Sequence, residues 1–421
     1  ATPGREETIL SSRLMPRRRW VIVSAAVVSL AVLVATFLHY RRMPALTERD
    51  FIVLADFVNT TGEPVFDGTL KQALAVQLGQ SPYLNILPEE RVRQTLRFMG
   101  RPPDERISRE VAREICQREG IKALLVGSIS SLGSHYAITL EAVNAATGDS
   151  LASEQAEARG KEQVLTALGK AASRLRAKLG ESLSSIQKFD APLEQATTSS
   201  LEALRAFSLG DQQRTKGADF DAIPFFKRAT ELDPNFALAY ARLAATHNNI
   251  GEVDQAGEYA KKAFELRDRV SEREGFYIAA RYYDVVTGET NKAIEIYETW
   301  RRTYPRDYTP WTNLAGIYGV VGQFDKALAE AREAANLDPH RTFAYLNLAA
   351  AYMGLNRFEE AKAILEKALA ERPDSSGARL LLFMIACAQG DTAAMQRGAG
   401  SVKGKPGEEI LLFLEAQAAA L

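Results

Sequence analysis

The residue types that most often perform catalysis or bind metals are dispersed along this chain. Its four histidines are far apart and show no metal-ligand spacing: His39, His135, His247 and His340. No serine stands in a G-x-S-x-G context, and no Ser, His and Asp grouping has the local sequence of a hydrolase. The sequence therefore predicts no catalytic residue, no metal site and no cofactor site in the residues present.

One glycine-rich stretch, GAGSVKGKPG at residues 398–407, raises the question of a phosphate-binding loop. In a P-loop, a first glycine lies five residues before the second, and the lysine is followed by Ser or Thr. Here Ala399 lies five residues before Gly404, and Lys405 is followed by Pro406. The stretch also follows a helical pattern instead of a strand, so we do not predict phosphate binding.

Charge and cysteine content exclude two further classes. The formal net charge of −1 gives no basic patch or stripe, so nucleic acid is not an expected partner. The two cysteines, Cys116 and Cys387, are distant and lie among apolar neighbours. We interpret both as small buried hydrophobic residues outside any disulfide framework.

The strongest local feature near the N-terminus is an uncharged segment at residues 20–40. Its 21 residues would span roughly 31 Å as a helix, about the thickness of a hydrocarbon core. Trp20 and Tyr40 stand at its two ends, where aromatic rings favour the headgroup level. The segment is followed by LHYRR, which contains no small-residue cleavage site. We therefore predict one uncleaved transmembrane helix inserted in the bilayer.

The arginines that flank the segment indicate its orientation. Five arginines precede it and three follow, which by the positive-inside rule places residues 1–19 in the cytoplasm as a juxtamembrane tail. The expected location is the inner membrane, with the C-terminal domains extracytoplasmic. Small residues at Ser24, Ala25, Ala26 and Ser29 would allow close helix approach, so we expect a homodimer.

A period of 34 residues dominates the last part of the chain. Pro305, Pro339 and Pro373 follow at this spacing. Four further pairs also stand 34 apart: Trp311 and Tyr345, Leu314 and Leu348, Tyr318 and Tyr352, Ala327 and Ala361. The pattern resembles the tetratricopeptide repeat (TPR), in which each helix pair buries its apolar face only by stacking on its neighbours.

The array is predicted to cover residues 191–421 as about six repeats and a lone terminal helix. Earlier repeats fit the same frame less closely, with Leu209-Gly210 in the first and Tyr240 in the second. Gly398, Gly400, Gly404 and Gly407 should weaken or break the second helix of the sixth repeat. Because the last segment, GEEILLFLEAQAAAL, has no partner helix and the first residue is alanine, we expect a fragment of a longer chain.

TPR arrays bind peptides or protein surfaces in a concave groove lined by the first helix of each pair. The positions expected to face this groove are Asn248, Asn249, Tyr282, Phe343 and Met353. Their chemistry predicts a neutral to apolar groove. For Phe343 and Met353, packing between repeats is the alternative.

Residues 51–190 lack the 34-residue period and read as an α/β domain after a linker at residues 41–50. A strand-and-helix opening is followed by three strands of period two, with Gly133 and Gly148 in the turns between them. The expected order is one transmembrane helix, an α/β domain with a mixed sheet, and an all-α TPR solenoid.

Two stretches in this domain carry a wider resemblance: FIVLADFVNTTGEPVFDGTLKQALAVQLGQSP and RPPDERISREVAREICQREGIKALLVGSI. With FDAPLEQATTSSLEALRAFSLG, they resemble the sensor region of membrane-bound bacterial serine/threonine protein kinases. In that family a cytoplasmic kinase precedes one membrane span, and an α/β domain and TPR array follow. The resemblance implies a non-catalytic sensor region in signal transduction, with a protein or peptide ligand.

The kinase domain itself would lie upstream of this sequence. No H-R-D-L-x-x-x-N, D-F-G or V-A-I-K motif is present, and Asp56-Phe57 is followed by Val58. ATP and Mg²⁺ would belong to that absent domain. In the tail, Thr8, Ser11 and Ser12 are candidate phosphorylation sites, with an unmodified tail as the alternative.

Three alternatives stay open at this point. The chain is also compatible with a stand-alone membrane-tethered TPR scaffold. It resembles the exported region of some membrane-bound winged-helix transcriptional regulators. An enzymatic α/β domain is the third alternative, which the lack of a convergent polar cluster disfavours.

Overall fold

The computed structural model describes residues 46–47, 50–216, 218–339, 342–371 and 375–402. The chain divides into two units, residues 1–45 and 46–421. In the ranges just given, no helix is long and apolar enough to cross a membrane. The predicted span at residues 20–40, the tail with Thr8, Ser11 and Ser12, and the lone terminal helix lie outside the described residues.

A mixed six-stranded sheet forms the centre of the α/β domain. The strands are β1 (Phe51–Leu54), β2 (Val58–Asn59), β3 (Asn85–Ile86), β4 (Ala123–Leu132), β5 (His135–Asn144) and β6 (Ser150–Ala158). The main order is β3-β1-β4-β5-β6, and the short β2 continues the pairing along β4. Strands β3, β1 and β2 pair in parallel with their neighbours, whereas β4, β5 and β6 form an antiparallel meander. The predicted mixed sheet is confirmed.

Four longer helices pack around this sheet, namely α1 (Thr69–Gly79), α2 (Glu89–Phe98), α3 (Arg109–Glu119) and α4 (Val164–Leu179). Helices α2 and α3 share an apolar core with β1 and β4, in which Leu96, Ile115 and Leu124 are fully buried. Helix α4 packs against β5, β6 and α1. The parallel strands are thus connected by helices, as a crossover requires.

Local sequence signals mark some of the helix ends. Ser108 caps α3 by accepting a hydrogen bond from the Val111 backbone, and Gly120 ends α3 with φ of 67°. Asp67 stands before α1, where its residue type predicts an N-cap, but the structure contradicts that prediction. Gly68 is the N-cap of α1, and the Asp67 carboxylate instead accepts a hydrogen bond of 2.8 Å from the Asn59 amide.

Two short helices, α5 (Leu183–Phe189) and α6 (Leu193–Ala196), lead into the solenoid. Six helix pairs follow, which we number as repeats one to six. Their helices are α7 (Leu201–Thr215) and α8 (Asp219–Leu232), α9 (Ala237–Asn249) and α10 (Val253–Glu265), α11 (Glu272–Arg281) and α12 (Thr290–Thr303), α13 (Tyr308–Val320) and α14 (Phe324–Leu337), α15 (Thr342–Gly354) and α16 (Phe358–Glu371), α17 (Ser376–Gln389) and α18 (Thr392–Val402).

Small residues at the repeat positions allow the helices to approach closely. Ala293, Ala327 and Ala361 are almost fully buried at equivalent positions of three successive repeats. At Gly210, an added Cβ would lie 2.8 Å from the ring of Phe226, so α7 and α8 could not pack as they do with a larger residue.

The break predicted in α18 does not occur in its described part. The helix continues through Gly398 and Gly400 to Val402. A Cβ at Gly398 would lie 3.2 Å from the side chain of Phe383, so tight packing against α17 offsets the low helix propensity of glycine.

The α/β domain contacts the start and the middle of the solenoid. Helix α1 packs against α7. Farther along, the Tyr304 hydroxyl donates a hydrogen bond of 3.3 Å to the Gln80 carbonyl, and its ring meets that of Phe189 edge to face at 6.0 Å. The guanidinium of Arg306 lies 5.1 Å from the centre of the Phe51 ring. The solenoid therefore curves around one side of the α/β domain and is attached to it at separate points.

Candidate functional site

Between these attachment points lies a large cleft with a volume of about 1070 Å³. One wall comes from the α/β domain and the other from the first helices of repeats one to four. Ordinary small-molecule pockets have volumes of about 300–1,000 Å³, so this cleft has room for several residues of an extended peptide.

The α/β wall lies at the carboxyl ends of β1 and β3, where open α/β sheets commonly bind ligands. Asp56 follows β1 and accepts hydrogen bonds of 2.7 Å from the Lys71 ammonium and from the Ile107 backbone. Glu89 follows β3, with its carboxylate 4.0 Å from the same ammonium. Burial opposes the charge on Lys71, but the two carboxylates outweigh it and raise the lysine pKa. On this wall the positive charge of Lys71 is therefore paired with the negative charges of Asp56 and Glu89.

The solenoid wall is rich in arginine. In repeats one and two, the Asp211 carboxylate oxygen Oδ1 lies 3.1 Å from Nε of Arg242 and 3.6 Å from Nε of Arg214. One carboxylate is therefore shared between two guanidinium groups. Both arginines face the cleft because they occupy the concave side of α7 and α9.

Repeat three brings a second set of charges into the cleft. Ser271 and Glu274 form a capping box at the start of α11, which fixes the carboxylate of Glu274 in the first turn. The neighbouring Arg273 donates to Asp307 of repeat four at 2.7 Å. Burial raises the pKa of Glu274 to about 7, although hydrogen bonds from Ser271 and the charges of Arg273 and Arg242 oppose that shift.

Tyr277 lies one turn further along α11, with the Arg242 guanidinium 5.7 Å from its ring centre. Burial alone would raise the pKa of the Tyr277 hydroxyl. The positive charges of Arg242, Arg281 and Arg214 outweigh burial, and the pKa is lowered. The lowered pKa of this hydroxyl indicates a positive electrostatic potential at this point of the cleft.

The residues predicted to line the groove divide into two sets. Asn248 and Asn249 at the end of α9 line the cleft. Tyr282, directly after α11, does not line the cleft and stacks on Phe264, with ring centres 3.9 Å apart. Phe343 is exposed and Met353 packs in the core of repeats five and six, so the structure does not bring these two to the cleft.

The groove is also more charged than the expected neutral to apolar surface. Arg242, Arg273, Arg281 and Asp307 were not singled out, because they do not belong to the repeat pattern. Two signals were present. The sequence S-x-x-E at 271–274 marks a helix start. Tyr240 and Tyr277 are 37 residues apart, so an insertion precedes repeat three.

No group of three or more potential metal-ligating side chains occurs in the part of the chain that the structure describes. Cys116 is buried, and burial raises its thiol pKa to about 12, which leaves it unreactive. The cleft therefore offers hydrogen bonds and charges to a ligand.

Comparison with known proteins agrees with this architecture. Family models described as tetratricopeptide repeats match residues 225–258 and 321–382. These matches confirm the TPR repeats, which are a scaffold for protein interactions. No curated protein matches the sequence.

Similar solved structures include three proteins of shorter length. The MamA protein is 25% identical over 41% of this chain and 93% of that chain, with a TM-score of 0.28. TTC0263, a thermophilic TPR protein of Thermus thermophilus, is 24% identical over 44% of this chain and 98% of its own, with a TM-score of 0.37. PilW, a type IV pilus biogenesis factor, is 18% identical over 50% of this chain and 98% of its own, with a TM-score of 0.39.

Proposed function

We propose that this chain recognises a partner protein by binding an extended segment of it in the cleft between the α/β domain and the solenoid. The observation that carries this proposal is the cleft itself, which has polar groups on both walls and a volume at the upper end of the range for ligand pockets. Backbone groups of an extended segment would find donors and acceptors at Asn248, Asn249 and Asn313.

The wider role is that of a membrane-anchored sensor. Residues 20–40 hold the chain in the inner membrane, and the α/β domain and solenoid lie on the extracytoplasmic side. The effector on the cytoplasmic side is a serine/threonine protein kinase, and dimerisation passes the signal across the single span. This part of the proposal rests on the apolar segment and on the resemblance to kinase sensor regions.

One feature of the structure suits a sensor. The cleft is formed by two domains that touch at separate points, so a bound peptide bridges them and stabilises one relative position. The second candidate, a stand-alone scaffold, uses the same cleft but needs no change between the domains.

The test is selection of peptides from a random display library on the full chain in mild detergent. Asn248→Trp places a large ring in the cleft, and Lys261→Trp places the same ring on the exposed side of repeat two. We expect selected peptides to bind the wild type and Lys261→Trp equally and to lose affinity for Asn248→Trp. Peptides that bind all three forms alike would refute the cleft as the binding site.

The kinase part has a separate test. An antibody to residues 200–370 should detect a native protein larger than 46.3 kDa by a kinase domain. Such a domain adds roughly 30 kDa at ordinary domain sizes. A native protein of the calculated mass would remove the kinase from the proposal and leave the scaffold.

A further inference from the structure

Three arginines and a tyrosine form one corner of the cleft, which we call the arginine corner: Arg214, Arg242, Arg281 and Tyr277. They come from repeats one, two and three, and all four line the cleft. The side chains are between about a fifth and a third exposed, with Arg242 at 22%, Arg281 at 26% and Arg214 at 32%. A ligand in the cleft can reach them.

The negative charges nearest to this corner do not saturate its guanidinium groups. Asp211 lies 3.1 Å from Arg242 and 3.6 Å from Arg214. Arg281 has Asp284 at 3.6 Å, beyond ordinary hydrogen-bond distance. Nε of Arg214 is buried without a hydrogen-bond partner among the described residues. The Glu274 carboxylate also acts on Arg242. Each guanidinium carries five N–H donors, so donors remain for a ligand beyond these contacts.

A small apolar cavity opens beside the corner. It has a volume of about 20 Å³ and is lined mainly by alanines of α9 and α10, with Asn248, Tyr277 and Arg281 at its edge. This volume accommodates one water-sized or methyl-sized group. A side chain of alanine size would fit there while a neighbouring group contacts the arginines.

We propose that the arginine corner binds a carboxylate of an acidic peptide, with a small apolar residue next to that carboxylate in the alanine-lined cavity. This inference rests on the proposed function, because it names the class of segment that the cleft accepts. Guanidinium groups bind carboxylates with two parallel hydrogen bonds, and the partial burial of these side chains strengthens such contacts. The Tyr277 hydroxyl donates a further hydrogen bond.

The probe is a fluorescein-labelled peptide of alternating Glu and Ala, measured by fluorescence anisotropy on the full chain. The matched peptide of alternating Gln and Ala has the same shape without the charge. We expect the Glu peptide to bind at least about tenfold more tightly, with affinity that falls as salt rises. Arg242→Gln and Arg281→Gln should each weaken it by about tenfold or more.

The matched control is Arg228→Gln. Arg228 lies on α8, is 60% exposed and pairs with Glu231 of its own helix at 3.0 Å. The substitution Arg228→Gln should leave the affinity for the Glu peptide unchanged. Because Arg242→Gln deprives Asp211 of a charged partner, Arg242→Lys is the second variant. It keeps the charge but loses the two-pronged geometry, so it should retain folding and lose most of the affinity.

Equal binding of the Glu and Gln peptides would overturn the inference, as would equal effects of Arg281→Gln and Arg228→Gln. A phosphoserine peptide that outcompetes the Glu peptide by more than about tenfold would assign the corner to phosphate instead. If Asn248→Trp weakens the binding of library peptides but the arginine variants do not, the proposed function stands and this inference fails. If neither Asn248→Trp nor the arginine variants change the affinity of any peptide, the proposed function and this inference both fail.

Discussion

The surface of the solenoid differs between its two ends, although both are built from TPR helix pairs. In repeats one to four it faces the α/β domain and carries Arg242, Arg273, Arg281 and Asp307. In repeats five and six, Phe343 and Met384 are exposed instead, at 67% and 39%. We call these the enclosed half and the open half.

This difference separates what the repeats need from what a ligand needs. Ala293, Ala327 and Ala361 hold neighbouring helices together in both halves and recur every 34 residues. Groove positions contribute little to that packing, so their side chains are free to differ between repeats. Recognition therefore depends on which groove residues face the second domain.

The largest effect is expected at a buried charge cluster of the α/β domain, beside the segment that leads into the solenoid. Arg176 is fully buried and donates to both Glu181 oxygens and to Asp190, all at 2.8 Å. Ser81 donates to the same Glu181 carboxylate at 2.6 Å. Arg176→Ala leaves a buried carboxylate unpaired and should cost about 3–5 kcal/mol of the free energy of unfolding, measured in urea.

The matched surface variant is Arg228→Ala, which should cost no more than about 0.5 kcal/mol. If both variants cost the same, the buried charge cluster does not stabilise the fold. The loss in Arg176→Ala should also depend on pH. Burial opposes the charge on Glu181, but hydrogen bonds from Arg176 and Ser81 lower its pKa. The stabilising effect in the wild type is therefore present above the ordinary glutamate pKa and is lost as the pH falls below it.

The second effect concerns a contact that the solenoid makes with the α/β domain beside this cluster. Tyr304 is 4% exposed and contacts both Gln80 and Phe189. Tyr304→Ala should cost about 3 kcal/mol through the cavity it leaves. Tyr304→Phe keeps the ring and should cost about 1 kcal/mol for the lost hydrogen bond. Limited proteolysis between residues 190 and 200 should accelerate in Tyr304→Ala, and unchanged cleavage there would argue against this contact as a link between the domains.

Features of the fold are predictable from the sequence where a pattern repeats over many residues, and are not predictable where distant residues come together singly. The 34-residue period and the period-two strands repeat over many residues, so the sequence predicts the solenoid and the mixed sheet. Arg176, Ser81 and Glu181 are brought together by the fold alone. Ser81 and Glu181 are 100 residues apart, and no local pattern pairs them.

The candidate site was predictable only in part for the same reason. Asn248 and Asn249 follow from the repeat frame because they lie on a regular first helix. Arg273 and Glu274 were missed because the insertion before repeat three shifts the frame by three residues. The charged groove emerges only when the α/β domain is placed against the repeats.

The third effect tests the charge of the enclosed half. The pKa of Glu274 is raised from 4.5 to about 7, so the folded state retains a proton that the unfolded chain releases. Stability should therefore fall as the pH rises from about 4.5 to about 7. Glu274→Gln keeps the capping box and removes this loss. Its advantage should grow with pH and reach about 1–2 kcal/mol at pH 8, after allowance for water in the cleft.

The groups that act on this carboxylate are Ser271, Arg273 and Arg242. Glu289, an exposed glutamate of the same repeat, is the control. Its hydrogen bond with Lys292 lowers its pKa, so Glu289→Gln should give no advantage that grows with pH. Chemical denaturation at a series of pH values measures both. Parallel curves for the wild type and Glu274→Gln would show that the carboxylate is well hydrated.

The smallest effect is expected in the open half. Phe343 is 67% exposed, so Phe343→Ala removes little buried surface and should change the free energy of unfolding by less than about 0.5 kcal/mol.

The effect of Phe343→Ala on peptide binding distinguishes two arrangements of a bound segment. If bound segments stay within the enclosed half, Phe343→Ala leaves their affinity unchanged while Asn248→Trp lowers it. If a segment continues along the groove to repeat five, removing an exposed aromatic ring weakens binding by a few-fold or more, since such rings often anchor ligands. Titration of the same selected peptide into both variants separates the two, because only the second arrangement makes affinity depend on residues outside the cleft.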